Sequence, residues 1–232
     1  MILPRRTGRW RVDHIVATAA EAHRRELSDT GEPEVWVIET SGTALALGSS
    51  QSLDVVDHDA AARLGVEVVK RRSGGGAVLL VPGELAWVDV VVPRGDRLWD
   101  DDVARASHWL GNAWAETISA FGRHPRVHVG SMLADDLART VCFAGVGPGE
   151  VLDRPVAGER GPKLVGLSQR RTRDAARFQC AALVRWDPTL LGPLLPRELD
   201  AGAMARLPDV ATGIEVPVDE LVAGFLTVLG QC

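Results

Sequence analysis

Apolar residues in this chain recur mostly in the short runs that are typical of β-strands. Runs rich in Val, Ile, Leu and Trp, bounded by Gly, Pro or Ser, predict strands. These runs cover residues 34–39, 43–48, 66–69, 77–81, 85–92, 163–168 and 178–186. A Ser41-Gly42 turn joins the first two strands, and a Pro82-Gly83 turn precedes the fifth. The pattern favours an α+β fold with a largely antiparallel or mixed sheet.

Helical spacing of apolar residues predicts helices between these strands. We expect them over residues 13–27, 54–64, 103–118, 188–195 and 219–229. Asp13 is expected to cap the first helix, and Gly65 to end the second. The stretch 145–161 is rich in Gly and Pro, so we expect a long, partly ordered loop there.

Composition indicates a globular protein whose partners are neither nucleic acid nor membrane. A chain of 232 residues that is 46% hydrophobic can bury a sizeable core, and we expect one domain over residues 1–232. The net charge of -5, without a Lys/Arg-rich block, argues against nucleic acid. No apolar run is long enough to span a membrane. Three widely spaced cysteines argue against a disulfide framework and indicate a reducing cytoplasm.

The most distinctive segment is a glycine-rich loop between two predicted strands. It reads Lys70-Arg71-Arg72-Ser73-Gly74-Gly75-Gly76-Ala77-Val78. Consecutive glycines cost backbone entropy when ordered, and they let main-chain N–H groups approach an anion that arginines can neutralise. The loop matches neither a Walker A motif nor a Rossmann fingerprint. We hypothesise an anionic ligand along this loop; the alternative is a flexible surface turn flanked by solvated charge.

Two further residues could carry chemistry. Lys163 begins a predicted strand just after the Gly/Pro-rich stretch 145–161. Most lysines at the start of an edge strand are simply solvated. Cys142 is next to Val and Phe, which favours a buried structural cysteine unless a nearby cation activates the thiol. His124 and His128 have a spacing seen in metal sites, but no Cys or carboxylate cluster accompanies them, so we expect no metal site.

Two segments together resemble the signatures of the lipoate–protein ligase and octanoyltransferase family. Arg71-Arg72-Ser73-Gly74-Gly75-Gly76-Ala77-Val78, followed by Gly83-Glu84-Leu85, is similar to the R-R-x-[ST]-G-G-G-A-V loop and its turn. The segment from Lys163 to Arg171 is similar to K-[IVL]-x-G-x-[AS]-Q-R-R. The order and separation of the two segments also fit. The resemblance implies the biotin and lipoate ligase catalytic-domain fold, a mixed sheet backed by helices.

The resemblance also implies roles for individual residues. Lys163 would bind the activated acyl group, and Arg71 would contact the ligand near the glycine loop. The other matched positions would shape the acyl and adenylate pocket; they are Ser73, Gly74, Gly75, Gly76, Ala77, Gly83, Gly166 and Ser168. The implied substrates are ATP with Mg²⁺ and lipoate or octanoate. The implied partner is a lipoyl carrier domain, from a 2-oxoacid dehydrogenase E2 or a glycine cleavage H protein.

Departures from the family pattern leave the route of acyl transfer open. Leu80-Val81 stands where ligases usually carry His-Asp, and Cys180-Ala181 where members often have His-Gly. Cys142-Phe143 resembles the segment of cysteine-dependent octanoyltransferases that forms an acyl thioester. Because the Gly-Gly-Gly loop favours a ligase, we predict a lipoate–protein ligase working through an acyl-adenylate. The alternatives are an acyltransferase with Cys142 as nucleophile and a non-catalytic relative that binds the acyl group or its carrier.

Overall fold

The architecture is that of two β-sheets packed face to face, with helices on both outer sides. It is taken from a computed structural model that describes residues 5–27, 31–154, 160–195 and 201–232. The strands are, in chain order, β1 Arg5–Thr7, β2 Trp10–Ala17, β3 Glu34–Thr40, β4 Ala44–Leu47, β5 Glu67–Lys70, β6 Val78–Leu80, β7 Leu85–Pro93, β8 Arg126–Val127, β9 Val151–Leu152, β10 Lys163–Arg171 and β11 Ala175–Leu183. The helices are α1 Ala19–Arg24, α2 His58–Leu64, α3 His108–Ala120, α4 Asp136–Thr140, α5 Pro188–Leu191, α6 Ala201–Arg206 and α7 Val218–Leu229.

Both sheets are mixed, as the sequence predicts. The larger sheet has the order β1-β2-β3-β7-β11-β10-β9-β8, and all of its neighbours are antiparallel except the parallel pair β2 and β3. The smaller sheet has the order β5-β4-β6, with β5 parallel and β6 antiparallel to β4. The two strands that flank the glycine-rich loop, β5 and β6, therefore lie on opposite sides of β4.

The core forms three layers of apolar contacts. Helices α3 and α7 cover one face of the larger sheet, where Trp114 stacks on Phe225 with ring centroids 3.9 Å apart. The opposite face packs against the smaller sheet, with Trp87 and Leu80 in this inter-sheet layer. Helices α2, α4 and α5 cover the outer face of the smaller sheet. The segments of both sequence signatures meet in this inter-sheet layer, where Ser73 and Ser168 are hydrogen-bonded.

The prediction of a helix from Asp13 is wrong over its first residues. Residues up to Ala17 continue β2, which pairs in parallel with β3, and α1 begins only at Ala19. β-Branched residues such as Ile15 and Val16 fit a strand better than a helix. Thr18 caps α1 in a capping box with Glu21.

The other predicted elements agree with the structure to within a few residues. The second helix, α2, starts at His58 after a 3₁₀ turn and ends at Gly65, whose φ of 65° is left-handed. The predicted helix over 103–118 is α3, which starts five residues later. The Gly/Pro-rich stretch 145–161 contains β9, and its residues 155–159 lie outside the described part of the chain.

Candidate active site

Arg71 organises the glycine-rich loop from within. Its side chain is buried, and its Nη2 donates hydrogen bonds of 2.8 Å to the carbonyl oxygens of Gly74 and Gly76. The loop therefore wraps around the guanidinium instead of extending into solvent. Gly75 has a φ of 96°, and a Cβ there would lie 2.9 Å from Arg71 Nη2. Only glycine adopts this conformation without strain.

Gly76 holds the loop against the segment that carries Cys142. A Cβ at Gly76 would lie 2.7–2.8 Å from backbone atoms of Ala138, Val141 and Cys142, which leaves no room for a side chain. The Cys142 amide donates to the carbonyl of Ala77 at 3.0 Å. The main chain of the first signature is thus bound directly to the cysteine segment, an association that the sequence alone does not reveal.

Cys142 lies at the edge of a cavity and next to a cation. It opens a 3₁₀ turn over Cys142–Ala144 and is half-buried. Its Sγ is 3.6 Å from Arg71 Nη2. Cys180 is fully buried in β11, and burial raises the pKa of its thiol. Between these two cysteines, Cys142 is the one placed to react.

Lys163 is held in an ion pair behind the cavity wall. Its Nζ is 2.7 Å from Glu150 Oε2 and donates a 3.0 Å hydrogen bond to the carbonyl oxygen of Cys142. Both side chains are at most 5% exposed. Glu150 also accepts from the amides of Gly147 at 2.6 Å and Leu167 at 3.0 Å. Lys163 therefore holds the Cys142 turn in place, and its amine contacts both the Glu150 carboxylate and the Cys142 carbonyl oxygen.

A chain of hydrogen bonds links the two signature segments to helix α1. Ser168 Oγ donates to Ser73 Oγ, which donates to Gln179 Oε1, each at 3.2 Å. Gln179 Nε2 lies 3.3 Å from Nδ1 of His23. The first signature supplies Ser73, the second supplies Ser168, and the helix supplies His23. The chain runs between the two sheets.

His23 is a neutral imidazole. Burial is the main cause that lowers its pKa to about 3, and the positive charges of Arg71 and Arg177 lower it further. Its ring also packs on Trp87, with centroids 4.6 Å apart. At physiological pH the ring offers one N–H donor and one acceptor nitrogen.

A small cavity lies between the two sheets where these groups meet. Its volume is about 40 Å³. The walls are mainly apolar, with polar groups from α1, the glycine loop and the hairpin of β10 and β11. The lining residues are His23, Ala46, Arg71, Val78, Leu80, Trp87, Cys142, Phe143, Gly166, Leu167, Ser168, Gln179, Cys180 and Ala181. Leu80 and Cys180, the two positions that depart from the family pattern, are both in its wall.

The structure places four of the eleven predicted site residues in the wall of this cavity. Arg71, Cys142, Gly166 and Ser168 line it, and Ser73 is bonded to Ser168. Gly74 and Gly75 lie exposed on the outer side of the loop, and Gly76 and Ala77 are buried in its contact with the cysteine segment. A Cβ at Gly166 would lie 3.4 Å from the ring of Phe143.

Lys163 does not line the cavity, and Gly83 lies outside it altogether. Gly83 is exposed in the turn before β7, with a φ of 79°. It lines a separate groove of about 690 Å³ between α7 and the β1–β3 edge of the larger sheet. Leu80 and Trp87 line both this groove and the small cavity.

None of His23, Gln179 and Glu150 is identified as a site residue by the sequence analysis. His23 is the one imidazole among a run of small and charged residues in α1, which is a weak signal by itself. Gln179 is in the middle of an apolar strand, where a polar side chain is unusual enough to suggest a buried hydrogen-bond network.

Among the residues that the structure describes, no group of three or more His, Cys, Asp or Glu side chains is arranged to hold a metal ion. No helix in the described residues is both long and apolar enough to cross a membrane.

Solved structures with this fold include lipoate ligases. A bipartite lipoate protein ligase from Thermoplasma acidophilum, studied with its E2 lipoyl domain, has a TM-score of 0.73 at 16% identity, covering 97% of this chain and 82% of that one. A lipoate-protein ligase A bound with ATP has a TM-score of 0.68 at 19% identity, covering 97% and 85%. The P. falciparum protein LipL1 in complex with lipoate has a TM-score of 0.59 at 11% identity, covering 95% and 60%. At these identities the likeness shows the fold.

Sequence comparison shows the family. Residues 14–225 match the sequence pattern of the family described as "Lipoyl protein ligase A/B catalytic domain". The chain therefore belongs to the lipoyl protein ligase A/B catalytic-domain family, and it is an enzyme of the lipoate–protein ligase kind. No curated protein sequence matches it significantly.

Proposed function

We propose that this chain, as one catalytic domain, attaches lipoate or octanoate to a lysine of a lipoyl carrier domain through an acyl-adenylate made from MgATP. The observation that supports this most is the meeting of both signature segments at one apolar-walled cavity, joined by the hydrogen bond between Ser73 and Ser168. The T. acidophilum relative was studied with an E2 lipoyl domain, and another relative binds ATP. A lipoyl domain of an E2 or glycine cleavage H protein is the acceptor that fits.

The proposed reaction has two steps. A carboxylate oxygen of the acid attacks the α-phosphorus of ATP, and pyrophosphate leaves. The lysine amine of the carrier then attacks the acyl carbonyl, an amide forms, AMP leaves and the amine proton passes to solvent.

The residues around the cavity have distinct parts in this scheme. Val78, Leu80 and Trp87 supply apolar wall for the hydrocarbon chain. The guanidinium of Arg71 supplies positive charge where the carboxylate is activated. Lys163 and Glu150 position the Cys142-Phe143 turn.

Trapping with hydroxylamine tests the adenylate route. The protein is incubated with octanoate or lipoate, MgATP and hydroxylamine, and both hydroxamate and pyrophosphate are measured. We expect equal amounts of the two products, dependent on the acid and retained in Cys142→Ala. Absence of acid-dependent pyrophosphate from the wild-type protein would contradict the adenylate route.

A second candidate function is a cysteine acyltransferase. The observation that favours it is the position of Cys142, whose sulfur lines the cavity 3.6 Å from a guanidinium nitrogen. In this route the Cys142 thiolate attacks the thioester carbonyl of an octanoyl carrier, and the carrier thiol leaves. The acceptor lysine then attacks the new thioester and regenerates Cys142. Incubation with octanoyl carrier should then add one octanoyl group to the wild-type protein and none to Cys142→Ala, as measured by intact mass.

A further inference from the structure

One nitrogen in the cavity wall lacks a hydrogen bond. His23 is 8% exposed, and its Nε2 is buried without a hydrogen-bond partner among the described residues. A buried polar group left unpaired is unfavourable, so a ligand atom that pairs with it gains affinity. Because His23 lines the cavity, an acceptor atom of a ligand bound there is the partner that we consider.

The hydrogen-bond chain defines which ring nitrogen carries the proton. Ser73 donates to Gln179 Oε1, so the amide nitrogen of Gln179 faces His23 Nδ1 at 3.3 Å. An amide nitrogen can only donate, and Nδ1 is therefore the acceptor. In a neutral ring the proton then resides on Nε2. The unpaired nitrogen is a donor that requires an acceptor atom.

A second unpaired donor belongs to the same cavity wall. Arg71 Nε is buried without a hydrogen-bond partner in the described ranges, although Nη2 of the same group has three contacts. The charge of Arg71 acts on His23, and its Nη2 also contacts the sulfur of Cys142. The two unpaired N–H groups thus belong to two residues that both line the cavity.

We propose that His23 is a substrate-binding residue whose Nε2–H donates a hydrogen bond to a carboxyl or acyl-carbonyl oxygen of the bound acid. The inference rests on the proposed function, because it presumes that the cavity takes the acyl substrate. Oxygen is the better acceptor for an imidazole N–H, since thioether-type sulfur accepts only weakly. The carboxyl end, which every substrate acid has, is therefore its partner, and the dithiolane end of lipoate is not.

The neutral state of His23 suits this task. The positive charge of Arg71 already balances the carboxylate, and a second full charge in a cavity with mainly apolar walls would be expensive to desolvate. A neutral imidazole can donate its Nε2–H to the carboxylate oxygen of the free acid and to the carbonyl oxygen of the activated acyl group without changing its own protonation state.

Matched variants at position 23 test the inference. His23→Phe keeps an aromatic ring against Trp87 and removes the donor, whereas the amide nitrogen of His23→Gln can replace Nε2–H. Isothermal titration with octanoate and with lipoate should show the dissociation constants of His23→Phe raised about five- to tenfold for both acids. His23→Gln should stay within about twofold of wild type.

The outcomes separate this inference from the proposed function. Wild-type binding with an unchanged affinity in His23→Phe would overturn the role of His23 alone, as would a loss confined to lipoate or an equal loss in His23→Gln. Failure of the wild-type protein to bind either acid would overturn the proposed function and the inference with it.

A spectrum of the unaltered protein provides a test that does not depend on a variant folding. With ¹⁵N-labelled imidazoles, the signal of His23 should show a neutral ring protonated at Nε2 at pH 7. Its Nε2 proton should shift downfield on addition of octanoate. A ring protonated at Nδ1, or a proton signal unmoved by saturating octanoate, would overturn the inference.

Discussion

Lys163 and Glu150 form a buried ion pair of 2.7 Å that fixes the main chain around Cys142. The pair joins the first residue of β10 to the segment before β9. Glu150 also receives two backbone amides, so its negative charge is compensated on several sides. Lys163 thus holds the carbonyl group of Cys142 in this structure, and its contact with an activated acyl group stays a prediction.

We expect Lys163→Met to destabilise the protein by about 3–5 kcal/mol, because it leaves the carboxylate of Glu150 buried without its cation. The double variant Lys163→Met/Glu150→Gln should recover part of this loss, because the second change removes the stranded charge. Urea denaturation monitored by circular dichroism measures both values. A single variant as stable as wild type would show that the pair contributes nothing to the fold.

Gly76 and Gly74 provide a matched pair in the glycine-rich loop. Gly76→Ala should cost at least about 2 kcal/mol, because its methyl group would overlap three backbone atoms of the cysteine segment. Gly74→Ala should change stability by less than about 0.5 kcal/mol, since no atom lies within 4 Å of its Cβ position. Thermal unfolding of the two variants checks the difference. Equal stabilities would mean that the loop does not pack as described.

The cysteines should differ in reactivity, and substrate should change only one of them. Iodoacetamide should modify half-buried Cys142 well before buried Cys180, whose thiol pKa is raised by burial. Saturating octanoate should slow modification of Cys142 severalfold, because Cys142 lines the proposed acyl cavity. Cys232, outside the cavity, is the internal control, and peptide mass spectrometry gives the rate at each site. Equal rates at Cys142 with and without octanoate would place the acid elsewhere.

His23 should make stability depend on pH. Its pKa is lowered from 6.5 to about 3 in the folded protein, so below pH 6.5 the unfolded chain binds a proton that the folded chain excludes. Stability is therefore lost as the pH falls, by about 2 kcal/mol from this residue between pH 7 and pH 5. His23→Gln should remove that part of the loss. Urea titrations at the two pH values measure it, and identical pH dependence in both proteins would contradict a buried neutral His23.

The fold class and part of the cavity can be predicted from short-range sequence patterns. Apolar runs bounded by Gly and Pro identify most strands, and Gly65 ends α2 as its position predicts. Arg71, Ser73 and Ser168 are recognisable because their signatures are contiguous. The helix predicted from Asp13 fails over residues 13–17, because pairing with β3 outweighs local spacing.

Contacts between distant segments are what the sequence could not reveal. His23 and Gln179 are 156 positions apart, and they meet because α1 packs with Ala19 and Ala22 into the inter-sheet layer. The ion pair between Lys163 and Glu150 is equally unpredictable from local sequence, since each residue alone is typical of a solvated surface charge. The close approach of Gly76 to Cys142 likewise depends on the packing of α4 beneath the loop.

The intact mass of a purified apo lipoyl domain tests the central claim most directly. The domain is incubated with this protein, free lipoate and MgATP. We predict a gain of one lipoyl group, dependent on ATP and on the acceptor lysine. An unchanged mass under these conditions would contradict the proposed attachment of lipoate through an acyl-adenylate.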